Sequence, residues 1–298
     1  MYDGEIASPM VGSTLDGAYQ LVRLVCEGSM STVFEAVQLK LGRRVAVKIL
    51  AAELAQDEEA LARFRREVKI TAKLAHPNVV QLLDFGSTPG GQAYLVTEFL
   101  DGEDLEQRLS RVGRLPLAAV APIVKQMAQA LSAIHGKGVI HRDLKPGNVL
   151  LLPLDGQSEF VKVVDFGISK LLTSSTQVTR PATVLGTPEY MAPEQATGRG
   201  DEVDHRTDQW ALACTTWRML AGRAPFTGAD VEEVLRSITR DDPPPLRDRA
   251  PELGVEIDRV LRRGLAKRPS QRFATVAAFA RAFEAAVVAS SRGAAARA

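Results

Sequence analysis

Five polar side chains fall within eight residues of this sequence: His141, Arg142, Asp143, Lys145 and Asn148. Apolar residues flank them, Val139 and Ile140 before and 149–152 after. Pro146 and Gly147 forbid a continuous helix through the stretch. The groups therefore lie on a short loop anchored in core at both ends, which is how a rigid scaffold presents chemistry. Asp143 can accept a proton from a hydroxyl or hold that hydroxyl in line. Lys145 can neutralise negative charge arriving beside it, and Asn148 offers an amide oxygen, a hard ligand suited to Mg2+. A second carboxylate, Asp165, follows another apolar run, in Val-Val-Asp-Phe-Gly. A base, a cation and two oxygen ligands for a metal are what phosphoryl transfer asks of a protein. A polar loop with incidental charges would explain His-Arg-Asp alone, but not the whole set.

The flanking pattern indicates what must position these groups. Residues 19–25, 33–39 and 44–50 read as strands, with turn residues at 27–30 and 40–43, and connections this short make the meander antiparallel. Asp57 caps a helix over 57–74 whose apolar stripe is Leu61, Phe64, Val68 and Ala72; Glu67 borders that stripe. Strands follow at 79–85 and 94–99. A helix over 117–137 turns Ile123, Met127, Leu131 and Ile134 to one side and leads into the polar loop. Asp155-Gly156 turns a hairpin between 149–152 and 161–164. Residues 173–183 are hydroxyl-rich with no periodicity and read as a mobile loop. The stretch 207–220 is apolar nearly all round, so it is a buried helix with Cys214 as a core thiol. Val276, Phe279, Phe283 and Val287 mark a closing amphipathic helix. Residues 1–18 read as a loose arm and 287–298 as a linker-like tail.

Composition excludes several classes. Hydrophobic residues make up 45% and charged residues 24% of the 298, the balance of a globular protein. A net charge of +1 gives no electrostatic case for nucleic acid or an anionic membrane. The first residues lack the basic start and apolar run of a signal peptide, and no run approaches the ~20 apolar residues that span a bilayer. Two cysteines without metal-ligand spacing point to a reducing cytoplasm, and a tether would lie beyond residue 298. No Walker-type G-x-x-x-x-G-K-[ST] occurs, which excludes a P-loop NTPase.

His-Arg-Asp-Leu-Lys-Pro-Gly-Asn over 141–148, followed by Asp-Phe-Gly over 165–167, resembles the signature set of protein kinases. The resemblance is to the eukaryotic-like serine/threonine kinases of bacteria and covers roughly residues 19–286. It implies an α+β, two-lobed protein-kinase-like fold: a small antiparallel β N-lobe (19–99) and a mainly helical C-lobe (100–286), with ATP in the cleft. It implies transfer of the ATP γ-phosphoryl group to Ser or Thr hydroxyls of protein substrates. In that scheme Asp143 orients and deprotonates the hydroxyl, Lys145 neutralises the transferring group, and Asn148 and Asp165 hold Mg2+, or Mn2+ in its place. Lys48, fixed by Glu67, holds the α- and β-phosphates. Taken alone, Val-Ala-Val-Lys reads better as a snorkelling edge lysine, and Glu67 as one more charge on a charged helix.

The resemblance extends to the nucleotide contacts. The family's G-x-G-x-x-G-x-V loop maps to Val25, Cys26, Glu27, Gly28, Ser29, Met30, Ser31, Thr32 and Val33, with Cys26 and Ser31 standing where glycines belong. Ala46 forms part of the adenine roof, Thr97 is the gatekeeper, and backbone groups of Glu98 and Leu100 bond the adenine edge. Leu150 is another ATP contact. Asp104 falls at the ribose position and would serve equally as a helix N-cap. Gly-Thr-Pro-Glu-Tyr-Met-Ala-Pro-Glu over 186–194 closes an activation segment: Thr187 touches Asp143 and Lys145, and Glu194 pairs with Arg272. Asp208 accepts bonds from the catalytic-loop backbone. Thr179, then Thr183 and Thr176, are the candidate phosphosites; autophosphorylation in trans would call for a dimer. The degraded glycine loop keeps a rival open, an ATP-binding pseudokinase that serves as a signalling scaffold.

Overall fold

The computed structural model describes residues 10–28, 31–52, 62, 66, 68–153, 159–165 and 188–295. The chain divides into two compact units, Met1–Ala75 with Val80–Asp101 and Ile168–Arg180, and His76–Val79 with Gly102–Gly167 and Pro181–Ala298. The fold class matches the two-lobed α+β expectation, one unit being sheet and the other mainly helical.

Unit 1 is built on six antiparallel strands: β1 (Thr14–Leu15), β2 (Tyr19–Glu27), β3 (Ser31–Gln38), β4 (Arg43–Leu50), β5 (Leu82–Ser87) and β6 (Ala93–Glu98). They lie in the order β1-β2-β3-β4-β6-β5. Alternation along β4 sends Val45, Val47 and Ile49 into a core with Phe34, Ala36, Leu21, Tyr94 and Val96. The period of two leaves Ala46 and Lys48 on the other face. The expected strand at 79–85 begins later, at Leu82; Val79 belongs to unit 2, where it forms a parallel bridge with Val163.

The expected loose arm over 1–18 is corrected from Met10 onward. Thr14 and Leu15 pair with Gln20 and Tyr19, and Leu15 is buried. Asp16 and Gly17 both have positive φ, 49° and 64°, and Ala18 N–H donates to Leu15 O at 2.9 Å. That is the Asp-Gly turn whose twist suits a tight hairpin. The Asp16 carboxylate accepts the Tyr94 hydroxyl, while the Tyr19 hydroxyl donates to Asp84 Oδ2 at 2.7 Å. Burial and then the Asp84 bond push the Tyr19 hydroxyl up to about 12.

Unit 2 carries a three-stranded sheet, β7 (Glu103–Asp104), β8 (Val149–Leu152) and β9 (Phe160–Val163), in the order β7-β8-β9. The hairpin tip at Asp155-Gly156 lies outside the described residues. The helices are α1 (Leu105–Val112), α2 (Leu117–His135), α3 (Pro193–Ala196), α4 (His205–Ala221), α5 (Val231–Arg240), α6 (Val255–Gly264) and α7 (Val276–Ala295). Among the described residues α2 is the one helix long and apolar enough to cross a membrane by length and composition, a correction to the reading that no run approaches this. It buries Val120, Ile123, Val124, Met127, Leu131 and Ile134 and packs on α4 and α7 as a core helix. The apolar stretch behind α4 buries Trp210 and Trp217, and Trp210 stacks on Phe226 with centroids 5.5 Å apart.

The expected tail from residue 287 is also corrected, since α7 continues to Ala295. Alanine is the strongest helix former, so an Ala-rich stretch that reads as linker extends a helix once its start is packed. Ser290 Oγ accepts Gly254 N–H at 3.2 Å, fastening this end of α7 to the residue before α6.

Candidate functional site

The polar loop leaves α2 at His135 and is fixed from beneath by Asp208, in the first turn of α4. Asp208 is buried, and its carboxylate accepts three bonds: His141 N–H at 2.8 Å, Arg142 N–H at 2.8 Å and His135 Nε2 at 2.7 Å. Burial alone would raise its pKa; the His135 bond and the other donors outweigh that and hold the carboxyl below its usual range. Asp208 thus accepts from the loop backbone, as the family resemblance implies.

Two residues of the loop region carry left-handed backbones despite having β-carbons: Arg142 at φ 64° and Asp165 at φ 54°. Each such conformation costs about 1–3 kcal/mol and persists only when neighbours impose it. At Arg142, Asp208 holds the N–H, and Gln195 Nε2 donates to the carbonyl at 2.9 Å. Around Asp165 the preceding residue is bolted down: Val164 N–H donates to Asn148 O at 3.0 Å, and buried His141 donates from Nε2 to Val164 O at 3.0 Å. The other His141 nitrogen, Nδ1, accepts Asp143 N–H at 3.3 Å. His141, which the sequence offers as one polar group among five, is the internal brace of the loop.

The side chains converge on Asp143. Lys145 Nζ lies 3.2 Å from Asp143 Oδ2. Asn148 Nδ2 donates to Asp143 O at 2.7 Å and to Oδ2 at 3.3 Å. With its amide hydrogens engaged there, Asn148 has Oδ1 left as its acceptor. Asn148 and Asp165 fit Mg2+, which takes one or two carboxylates plus substrate phosphates instead of an all-protein cage. No group of three or more His, Cys, Asp or Glu able to hold a metal occurs among the described residues. Arg142 Nε is buried and has no hydrogen-bond partner among them.

The segment after this loop is anchored through a buried ion pair. Arg272 donates to both Glu194 oxygens, at 2.8 and 2.7 Å, and the two side chains are 0% and 1% exposed. The guanidinium also donates to the carbonyls of Ala266, Arg206 and Lys267, so all five N–H groups are used. Thr207 Oγ1 donates to Glu194 Oε1 at 2.8 Å. Burial pushes the Glu194 carboxyl up, but the Arg272 bonds win and leave it lowered.

In unit 1, register decides which candidates share a face. Cys26 pairs with Val33, Val33 with Lys48, Lys48 with Leu95, and Ala46 with Thr97. Partners in an antiparallel pair point the same way. Cys26, Val33, Ala46, Lys48 and Thr97 therefore occupy one face, opposite the apolar core. Val25 and Glu27 flank Cys26 on β2; Ser31 and Thr32 begin β3; Gly28 N–H donates to Ser31 O at 2.9 Å across the turn. Glu98 ends β6, with Leu100 just after it. In unit 2, Asp104 Oδ1 accepts Gln107 N–H at 2.8 Å, so the N-cap role is filled, and Leu150 lies on β8. Ser29, Met30, Glu67, Thr176, Thr179, Thr183 and Thr187 lie outside the described residues.

Sequence reasoning passes over Gln195 and His135. Gln195 had a signal: it is the third residue of α3, where a side chain can reach back to cap, and its Oε1 accepts Ala192 N–H at 3.1 Å. His135 had none, because its partner Asp208 is remote in sequence.

Residues 19–283 match the protein kinase domain family. The chain is 42% identical over 275 residues to serine/threonine-protein kinase pkn3 of Myxococcus xanthus, covering 90% of this chain and 50% of that protein. It is 40% identical over 277 residues to serine/threonine-protein kinase PknA of Mycobacterium tuberculosis, covering 92% and 62%. Among solved structures, the Mycobacterium tuberculosis PknI kinase domain is similar at TM-score 0.75 and 31% identity, with 94% and 100% covered. Rad53 1–466 in complex with AMP-PNP is similar at TM-score 0.71 and 28% identity, with 88% and 64% covered. The chain spans between 40% and 62% of the length of the curated relatives it matches.

Proposed function

Because the chain belongs to the protein kinase family, which it matches over residues 19–283, we propose that it transfers the γ-phosphoryl group of ATP to Ser or Thr hydroxyls of proteins. The observation that carries this reading is the convergence of Lys145 and Asn148 on Asp143, 3.2 and 3.3 Å from its Oδ2. Asp143 accepts the hydroxyl proton, and Lys145 neutralises charge on the group in flight. Asn148 Oδ1 and the Asp165 carboxylate hold Mg2+, which when bound draws charge from the phosphate oxygens. Lys48 and the face it shares with Ala46 and Thr97 hold the nucleotide. That a similar structure, Rad53, was solved with AMP-PNP supports ATP as the donor. Its test is Mg2+-dependent transfer from labelled ATP to protein. A reducing cytoplasm and a dimer for autophosphorylation in trans belong to the same proposal, as does Glu67 as the partner of Lys48.

Control runs through Arg142 in this reading. Its buried Nε lacks a partner among the described residues, and a guanidinium pairs well with a phosphate carrying about −1.5 to −2 charge. Thr179 is the first candidate, with Thr183 and Thr176 behind it; Thr187 is kept for the substrate site. A Thr176/Thr179/Thr183 triple alanine variant is expected to lose the rise in rate that follows preincubation with ATP. Equal time courses for it and wild type would refute this.

The second reading, a nucleotide-binding scaffold, is favoured by one feature, Cys26 and Ser31 at glycine positions. Cys26 is exposed and pairs with Val33 at the end of β2. Side chains there stiffen the turn and hold its backbone off the phosphates, while Lys48 and Asp165 are intact. Cys26→Gly with Ser31→Gly is therefore expected to raise kcat/KM for ATP about 3- to 30-fold, mostly through KM. An unchanged KM would mean that the turn does not cover phosphate.

A further inference from the structure

The peptide plane between Arg142 and Asp143 sets where the Asp143 carboxylate goes. Rotating that plane changes ψ of Arg142 and φ of Asp143 together, and the side chain swings with it. Among the described residues two hydrogen bonds hold the plane. Its N–H, from Asp143, reaches His141 Nδ1 at 3.3 Å, a long contact. Its carbonyl, from Arg142, accepts Gln195 Nε2 at 2.9 Å. The residue on the upstream side has a left-handed backbone, φ 64°, which relaxes unless it is held. Asp208 fixes the Arg142 N–H at 2.8 Å, but that group belongs to the preceding plane. The shorter restraint on the plane that aims Asp143 thus comes from Gln195.

The amide of Gln195 cannot turn over without loss. Its Oε1 accepts Ala192 N–H at 3.1 Å, so a flip would set donor against donor and acceptor against acceptor. Its backbone follows Glu194, which Arg272 locks in place. The geometry points to Gln195 as a positioning residue for the reaction: it ties the placement of Asp143 to the seating of helix α3, which closes the 186–194 segment. This rests on the reading of Asp143 as proton acceptor.

Gln195→Glu separates this role from helix capping. The glutamate keeps an oxygen for Ala192 N–H but turns an acceptor toward the Arg142 carbonyl. Its kcat for peptide phosphorylation near neutral pH is expected to fall about 10-fold, since small misplacements of a catalytic group are costly. KM for ATP should stay within about 2-fold. As pH is lowered, the variant's rate relative to wild type should climb, because a protonated carboxyl regains a donor. Gln195→Ala should lose kcat similarly with no such climb, and the kcat loss of Gln195→Glu should persist at temperatures well below its melting point. Wild-type turnover in Gln195→Glu alongside a defect in Gln195→Ala would reduce the residue to a cap and overturn the inference. So would a kcat loss that merely follows the melting temperature. Asp143→Asn run in parallel keeps the premise separate: wild-type turnover there removes the reading of the loop, and this inference with it.

Discussion

Asp143→Asn is expected to lower kcat at least about 100-fold while leaving ATP affinity and the melting temperature near those of wild type. The substitution is nearly isosteric. Its amide can still lie beside Asn148, and the backbone contacts that hold the loop, from Asp208, Gln195 and His141, do not involve the Asp143 side chain. What is lost is the acceptor for the hydroxyl proton and the negative partner 3.2 Å from Lys145. Steady-state kinetics with a general protein substrate, nucleotide titration and a thermal melt check the three parts. A variant that turns over at the wild-type rate would mean that this carboxylate is not the acceptor. One that melts early would mean that its role is structural.

Breaking the Glu194–Arg272 pair is expected to produce the largest loss of stability of any single substitution considered. Arg272→Met leaves the Glu194 carboxylate, 1% exposed, without the cation that offsets its burial, although Thr207 still donates to it. Removing one member of a buried pair typically costs about 3–5 kcal/mol, because the remaining charge is stranded. Glu194→Gln should cost less, since a neutral amide can still accept from Arg272 and Thr207. The pH dependence has a definite sign. Glu194 titrates below its ordinary 4.5 in the folded chain, so its contribution is complete above that value and is lost as pH falls through the folded pKa. Denaturant titrations between neutral pH and pH 3 should therefore show a steeper decline for wild type than for Glu194→Gln. Arg272→Met unfolding at the wild-type denaturant midpoint would contradict this account of the pair.

Much of this was legible in the sequence because the chemistry is local. Asp143, Lys145 and Asn148 lie within six residues, and their contacts close within that loop. The strand faces were legible as well, since a period of two puts Ala46 and Lys48 together wherever the strand pairs. Asp208 and the Glu194–Arg272 pair could be named only through resemblance, as each joins residues more than 60 apart in sequence. Hairpin β1–β2 was missed although Asp16-Gly17 is a strong turn signal, because a two-residue strand has no period to detect. The tail reads as a linker because Ala, Ser and Gly suit both linkers and packed helices, and tertiary contacts such as Ser290–Gly254 decide between them.

The central claim is that this loop moves a phosphoryl group to protein hydroxyls. Its most direct measurement is incubation of the purified chain and a general protein substrate with Mg2+ and γ-labelled ATP, followed by mapping of the labelled residues. The account predicts label on Ser and Thr, dependent on Mg2+ and absent with Asp143→Asn. A chain that binds ATP yet leaves every Ser and Thr unlabelled would contradict it and leave the scaffold reading in its place.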